Sequence, residues 1–288
     1  MPLPFKQVTD LSYSVLKSST RHCTKPIIIN LHGFLGSRNT FHELNRAIKK
    51  EIDTDIYTVD LRNHGKSPQC HPMTYEVLNN DLNHFIENEI GRKTILDRGI
   101  NIIGFSMGAK VGLLNAIKSN RCHNIKKIVS IDMPPYVTPL LPTKLTLNMQ
   151  LIKEIHEGKI KIEPGSKTWK KECIGMLGWY FGAGFINVKS NDKENGDDHI
   201  RYYLPIEEFP NILCDLKQWP NNLPPAKCNE TEVLFLRGLS SPLFTDDYSL
   251  LDVHFPHRRI IEFSAGHSLL FEQFNKASKV IVDFLKGK

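Results

Sequence analysis

Gly104-Phe105-Ser106-Met107-Gly108 follows the apolar run Ile100-Asn101-Ile102-Ile103 and opens a helix-like stretch over 107–119. A serine with glycine two residues to either side, between a strand and a helix, has the form of a nucleophile elbow. Small flanking residues let the backbone turn sharply and lift the Ser106 hydroxyl above the sheet edge, at a helix start that favours developing negative charge. The same five residues could form a plain glycine-rich strand-to-helix turn, so the surrounding chain decides.

Outward from the elbow, short apolar runs bounded by turn residues recur at 27–31, 56–59, 100–105, 128–131, 233–236 and 260–263. They read as strands buried on both faces. Amphipathic segments at 41–52, 75–90 and 111–117 lie between the early ones, and this alternation predicts an α/β protein with a doubly wound, mostly parallel sheet. From about residue 133 the rhythm stops: prolines stand at 134, 135, 139 and 142, helical patterns cover 144–157 and 168–180, and a polar loop covers 190–198. The expected organisation is a core in two parts, 1–133 and 229–288, with a mainly helical cap at 134–228; the alternative is a second independent domain. Trp169, Met176, Leu177, Trp179, Tyr180, Phe181 and Phe185 suit a cap that covers a pocket and excludes water from it.

Composition narrows the function classes. With 288 residues, 40% hydrophobic and 24% charged, the chain can enclose a substantial core and a pocket. No apolar stretch is long enough to span a bilayer, and no integral membrane segment is expected. A formal charge of +6 is dispersed, without an aromatic-interleaved basic stripe, which argues against nucleic-acid binding. Cys23, Cys70, Cys122, Cys173, Cys214 and Cys228 have neither zinc-site spacing nor the density of a disulfide scaffold and read as free thiols. No histidine and acid cluster has ligand spacing, so no metal site is expected. Near the amino terminus, Lys6, Lys17, Arg21 and Lys25 against Asp10 give a faint transit-peptide balance, whereas the alternation over 11–16 reads as a first β-strand.

Acyl transfer by serine needs a base, an acid that orients it, and donors for the oxyanion. His267, in Ala265-Gly266-His267-Ser268 after the last apolar run, is placed to return over Ser106 as the base; His32 and His64 are the rivals and read as loop-structural residues. One oxyanion donor is the N–H of Met107, and the second is expected from His32-Gly33-Phe34-Leu35-Gly36-Ser37, with Phe34 first and Leu35 second. The usual loop for the acid, Gly238-Leu239-Ser240-Ser241-Pro242, holds no carboxylate. Asp132 ends the strand after the elbow unit and is the expected acid; Asp246 and Asp247 are the alternatives, and Asp60 is read as holding the Arg62-Asn63-His64-Gly65 turn.

The segments HGFLGS (32–37), DLRNHGKSP (60–68), MTYEVLNNDL (73–82), GFSMGAK (104–110), SIDMPP (130–135) and SAGHS (264–268) resemble the small α/β-hydrolases related to abhydrolase-domain protein eleven, which include the yeast ethanol acetyltransferases. The likeness is strongest in the core and weak in the cap. It implies the α/β-hydrolase fold, with Ser106 as nucleophile, Asp132 as acid and His267 as base. One departure is Phe105, where relatives commonly carry histidine. The resemblance implies acetyl-CoA as co-substrate, with no resident cofactor, and ethanol as acceptor; it also suggests a mitochondrial address, the cytoplasm being the alternative. Small-molecule esters, thioesters and short alcohols are the expected partners. Lys144, Lys153, Lys159, Lys161, Lys167, Lys170 and Lys171 could attract CoA phosphates or form a solvated face balanced by Glu154, Glu157, Glu163 and Glu172. The competing functions are a plain ester hydrolase and a non-catalytic protein on a hydrolase scaffold.

Overall fold

A computed structural model describes residues 3–189, 198–221, 223, 228, 230–246 and 248–288. The strands are β1 (Tyr13–Leu16), β2 (Ile27–Leu31), β3 (Ile56–Val59), β4 (Ile100–Phe105), β5 (Ile125–Ile131), β6 (Phe185–Val188), β7 (His199–Tyr202), β8 (Glu232–Gly238) and β9 (Arg258–Phe263). The helices are α1 (His42–Glu51), α2 (Tyr75–Phe85), α3 (Arg92–Arg98), α4 (Met107–His123), α5 (Thr143–His156), α6 (Trp169–Gly182), α7 (Phe209–Lys217), α8 (Ser249–Asp252), α9 (Leu269–Glu272) and α10 (Phe274–Leu285).

Seven strands form one sheet in the order β1-β3-β2-β4-β5-β8-β9. β1 runs antiparallel to β3, and the other neighbours are parallel. Side chains alternate between the faces, as strand geometry requires. Ile28, Ile103, Val129 and Leu234 pack with Leu44, Ile48 and Ile281 on the side of α1 and α10. Ile27, Ile29, Ile102, Ile128 and Val233 pack with Leu78, Leu82, Val111 and Leu114 on the side of α2 and α4. Each such buried aliphatic side chain contributes about 1.5–3 kcal/mol relative to an exposed one. The chain moves outward from β2 to β3, then crosses back to place β4 on the other side of β2. Loops leaving β2 and β4 therefore diverge, and the crevice between them is where an open α/β sheet places its ligand.

Within the core, the strand and helix pattern departs from the sequence reading at β9 and after α2. Apart from buried Phe263, β9 carries exposed and half-buried side chains because it is an edge strand of the sheet. The helix expected over 75–90 is α2 followed by a π-helical turn, Ile86–Gly91, and then α3; Gly91 at φ 87 separates the two, a conformation glycine adopts without steric cost.

Between β5 and β8 the chain leaves the sheet. This excursion contains α5, α6, the antiparallel hairpin β6–β7 and α7. The expected loop over 190–198 lies outside the described residues except for Asp198. Ile152, Cys173, Leu177, Phe185, Tyr202, Ile212 and Leu216 belong to the same buried cluster as the α2 and α4 side of the sheet. The two roots of the excursion are joined where Thr138 N–H donates to Lys217 O (2.9 Å). Lys110, fully buried on α4, ties that helix to both roots. Its ammonium donates to Thr138 Oγ1 (3.1 Å) and Gln218 O (3.1 Å). No helix among the described residues is long and apolar enough to cross a membrane.

Burial pushes the Lys110 ammonium down to about 7 from an ordinary 10.5. Between those values the unfolded chain holds a proton that the folded protein lacks, so this group makes stability rise with pH, with a limiting slope of roughly 1.4 kcal/mol per unit. Urea denaturation at pH 7, 8 and 9 should show wild-type stability climbing relative to Lys110→Met; parallel profiles for the two proteins would exclude the assignment.

Candidate active site

The elbow is built by backbone geometry. Ser106 has φ 53, a left-handed conformation that is unfavourable for a residue with a side chain. It is held by Ser106 N–H donating to Ile131 O (3.1 Å) and by Ala109 N–H donating to Ser106 O (2.9 Å). The flanking glycines are required by space. A Cβ on Gly104 would lie 2.3 Å from Ala109 Cα, and one on Gly108 would lie 2.1 Å from Leu31 O.

Asp132 follows β5 at φ 50 and is completely buried. Its Oδ1 accepts from Gly238 N–H (2.8 Å) and its Oδ2 from His267 Nδ1–H (2.8 Å). With Nδ1 donating, His267 Nε2 is the acceptor, and it lies 2.9 Å from Ser106 Oγ. A continuous hydrogen-bonded line thus runs from carboxylate to imidazole to hydroxyl, the geometry a general base needs to take a serine proton. The Phe105 ring stacks on the imidazole (centroids 5.2 Å apart, 24° between planes) and fixes its other face.

The other candidate acids are elsewhere. Asp246 pairs with Arg237, which also binds Glu262, and its side chain is 94% exposed. Asp247 lies outside the described residues. Asp60 accepts from Arg38 Nε (2.7 Å) and from Lys66 N–H (3.0 Å), joining the 60–68 turn to the start of α1's approach.

His32 and His64 occupy the two loops beside the site. His32 Nε2 accepts from Leu61 N–H (3.0 Å), and His64 Nε2 accepts from Leu35 N–H (3.1 Å). Their Nδ1–H groups donate to Gly33 O and Arg62 O, both at 2.8 Å. Each loop therefore lends the other a histidine acceptor. Burial lowers the His32 value and holds His64 well below the ordinary imidazole range, which keeps both rings neutral and able to accept.

This exchange separates the two expected loop donors. The Leu35 N–H is committed to His64, which leaves the Phe34 N–H. The preceding peptide is oriented as well: Gly33 O accepts from His32 and from Gly36 N–H (3.0 Å). Carbonyl and N–H point opposite ways in a trans peptide, so the Phe34 N–H faces away from those donors. A Cβ on Gly33 would lie 3.0 Å from Ser106 Cβ, which puts this backbone directly against the serine. The N–H of Met107, the first residue of α4, has no acceptor within its helix.

A cavity of about 760 Å3 opens over Ser106 and His267, lined by Phe34, Phe105, Leu145, Tyr180, Phe181 and Phe271 among others. Tyr180 and Phe181 come from α6 of the excursion. Among the excursion's lysines, Lys144 borders this cavity. Lys153 and Lys159 pair with Glu157, and Lys170 donates to Ala183 O and Phe185 O. Tyr180 was read in the sequence as a pocket-covering cap residue, but its hydrogen bond to Phe34 O, the Gly238 N–H bond to Asp132 and the reciprocal histidine exchange were not, because each is a backbone or long-range contact that no local motif encodes.

The profile of the α/β-hydrolase fold matches residues 26–158, and the sheet order, elbow and strand-end positions agree with it. The chain has the α/β-hydrolase fold. An esterase from a marine microorganism superposes on it with a TM-score of 0.75 at 21% identity, covering 96% of this chain and 99% of that one. Ethanol acetyltransferase 1 of Kluyveromyces lactis is 29% identical over 99% of this chain and 82% of its own length. A probable alcohol acetyltransferase of Wickerhamomyces anomalus is 28% identical over 98% and 86%. The chain is thus similar along nearly its whole length to yeast proteins named for alcohol acetylation.

If Asp132 orients His267, Asp132→Asn should lower the turnover of a short acyl ester by up to about 10⁴-fold by favouring the wrong imidazole tautomer. Asp246→Asn should stay within a few-fold of wild type. Steady-state kinetics on the two purified variants checks the ranking; equal losses would remove Asp132 from the assignment.

Proposed function

We propose that this protein forms an acyl ester on Ser106 and passes the acyl group to a short alcohol as well as to water, with acetyl-CoA and ethanol as the donor and acceptor. The observation that carries the reading is the line Asp132–His267–Ser106, at 2.8 Å and 2.9 Å, in a chain whose relatives are named ethanol acetyltransferases. In the first step Ser106 Oγ attacks the thioester carbonyl as its proton passes to His267 Nε2. Asp132 stabilises the imidazolium, and the N–H groups of Phe34 and Met107 receive the oxyanion. Collapse expels the thiolate, which takes the proton from His267. An alcohol then loses its proton to His267 while attacking the acyl-serine, and collapse of the second tetrahedral species returns the proton to Ser106.

The partition between alcohol and water depends on the cavity. Phe105, Tyr180, Phe181 and Phe271 form an aromatic wall that favours an ethyl group over a second water molecule. Against that, the His267 side chain keeps 16% exposure, which admits water and supports hydrolysis as a parallel outcome. Lys144 at the cavity border supports a contact with a CoA phosphate; the pairing of Lys153 and Lys159 with Glu157 favours the solvated-face reading for those two.

Incubation with acetyl-CoA should release CoA with and without ethanol and give ethyl acetate only with it, and Ser106→Ala should lose both products by several powers of ten. Gas chromatography for the ester, together with a thiol assay, reads the outcome. Acetate accumulating in ethanol without ethyl acetate would leave a hydrolase. Hydrolysis of simple esters without CoA release would exclude the thioester donor.

A further inference from the structure

We propose that Tyr180 and His64 are positioning residues that grip the Phe34–Leu35 peptide from its two ends and thereby hold in place the turn that presents the Phe34 N–H to the oxyanion formed when Ser106 is acylated. The inference rests on the Ser106 acyl-enzyme reading above and adds to it the residues that hold the oxyanion donor in place.

Residues 33–36 form a turn closed by Gly36 N–H donating to Gly33 O (3.0 Å). Its third residue, Leu35, has φ 64. That position in a turn with a left-handed third residue ordinarily belongs to glycine or asparagine, and a leucine there is sterically strained. Rotation of the Phe34–Leu35 peptide would bring Leu35 back to negative φ, so the observed turn must be held from outside.

Both ends of that peptide are held. The Leu35 N–H donates to His64 Nε2 (3.1 Å), and Phe34 O accepts from the Tyr180 hydroxyl (3.1 Å). His64 belongs to the loop after β3, whereas Tyr180 belongs to α6 of the excursion. A second tyrosine from the excursion, Tyr203, donates to Gly36 O (2.7 Å). Tyr180 approaches so closely that a Cβ on Gly36 would lie 2.4 Å from its hydroxyl. The Tyr180 ring also meets Phe105 (6.1 Å between centroids) and Phe271 (5.7 Å), so the ring that lines the substrate cavity carries the hydroxyl that fixes the donor loop. The excursion therefore takes part in transition-state stabilisation as well as covering the cavity.

The test is steady-state kinetics with an aryl acetate on wild type, Tyr180→Phe, His64→Gln, His64→Leu and Ser106→Ala, together with inhibition by a trifluoromethyl ketone, whose adduct with serine places an oxyanion in the same site. Tyr180→Phe keeps the ring and loses only the hydroxyl. It should lower kcat about tenfold with KM within about twofold, and weaken the ketone by a similar factor, as expected for a donor displaced rather than deleted. His64→Gln, whose Oε1 can accept from the Leu35 N–H, should retain more activity than His64→Leu. Wild-type kcat and ketone affinity in Tyr180→Phe, or equal losses in the two His64 variants, would overturn the proposal while Ser106→Ala remained inactive. Activity in Ser106→Ala would instead overturn the acyl-enzyme reading.

Discussion

The two oxygens of the Asp132 carboxylate hold the site together. One accepts from Gly238 N–H and the other from His267 Nδ1–H, so a single buried group joins the end of β5 to the end of β8 and to the loop after β9. An ionised carboxylate without such partners would be costly at this depth. Both hydrogen bonds are charge-assisted and therefore short and strong. Their effect on His267 is directional: with Nδ1 donating, Nε2 can only accept, and it lies 2.9 Å from the Ser106 hydroxyl. The parallel pairing of β4, β5 and β8 sets the spacing of these groups before any side chain is chosen.

The sheet was legible in the sequence because buried parallel strands appear as short, nearly unbroken apolar runs, as at 27–31 and 100–105. β9 departs from that pattern, since an edge strand has one neighbour and its Arg258, Arg259 and Glu262 meet solvent-side partners. Ser106, Asp132 and His267 were also legible, each standing where a strand or elbow ends. The preference for Asp132 over Asp246 has a physical counterpart in Arg237, which occupies Asp246. The excursion was harder to read. The hairpin β6–β7 has strands of only four residues, too short for a period-two pattern to stand out, and α7 begins Phe209-Pro210 within a stretch rich in proline. Its contribution to the site, a tyrosine hydroxyl on the carbonyl of a loop 146 residues away in sequence, has no local signature.

His32 and His64 show how a rival candidate becomes informative. A histidine beside an active site invites a role in proton transfer. These two are buried, neutral and already engaged at both nitrogens, so neither can exchange a proton with substrate without breaking a contact between loops. Protonation of either Nε2 would set an N–H against the N–H of Leu61 or Leu35. Burial, which lowers both values, disfavours that protonation and so helps the loop that carries Phe34 keep its shape.

Backbone strain points to the same residues from a different direction. Among the described residues other than glycine, positive φ occurs at Leu35, Asn63, Ser106, Asn124 and Asp132. Asparagine tolerates that conformation through local hydrogen bonding, which leaves Leu35, Ser106 and Asp132 as the costly ones. They are the loop of the proposed oxyanion donor, the proposed nucleophile and the proposed acid. Each is over-determined by contacts from another part of the chain: Leu35 by His64, Ser106 by Ile131 O, and Asp132 by Leu236 O and Gly238 N–H. Strain of this kind persists only where surrounding structure holds it, and it tends to cluster where geometry serves chemistry. The coincidence of strain with the hydrogen-bonded line from Asp132 to Ser106 is therefore an argument for an active site that does not depend on motif resemblance, because no motif requires a leucine to stand in the left-handed region.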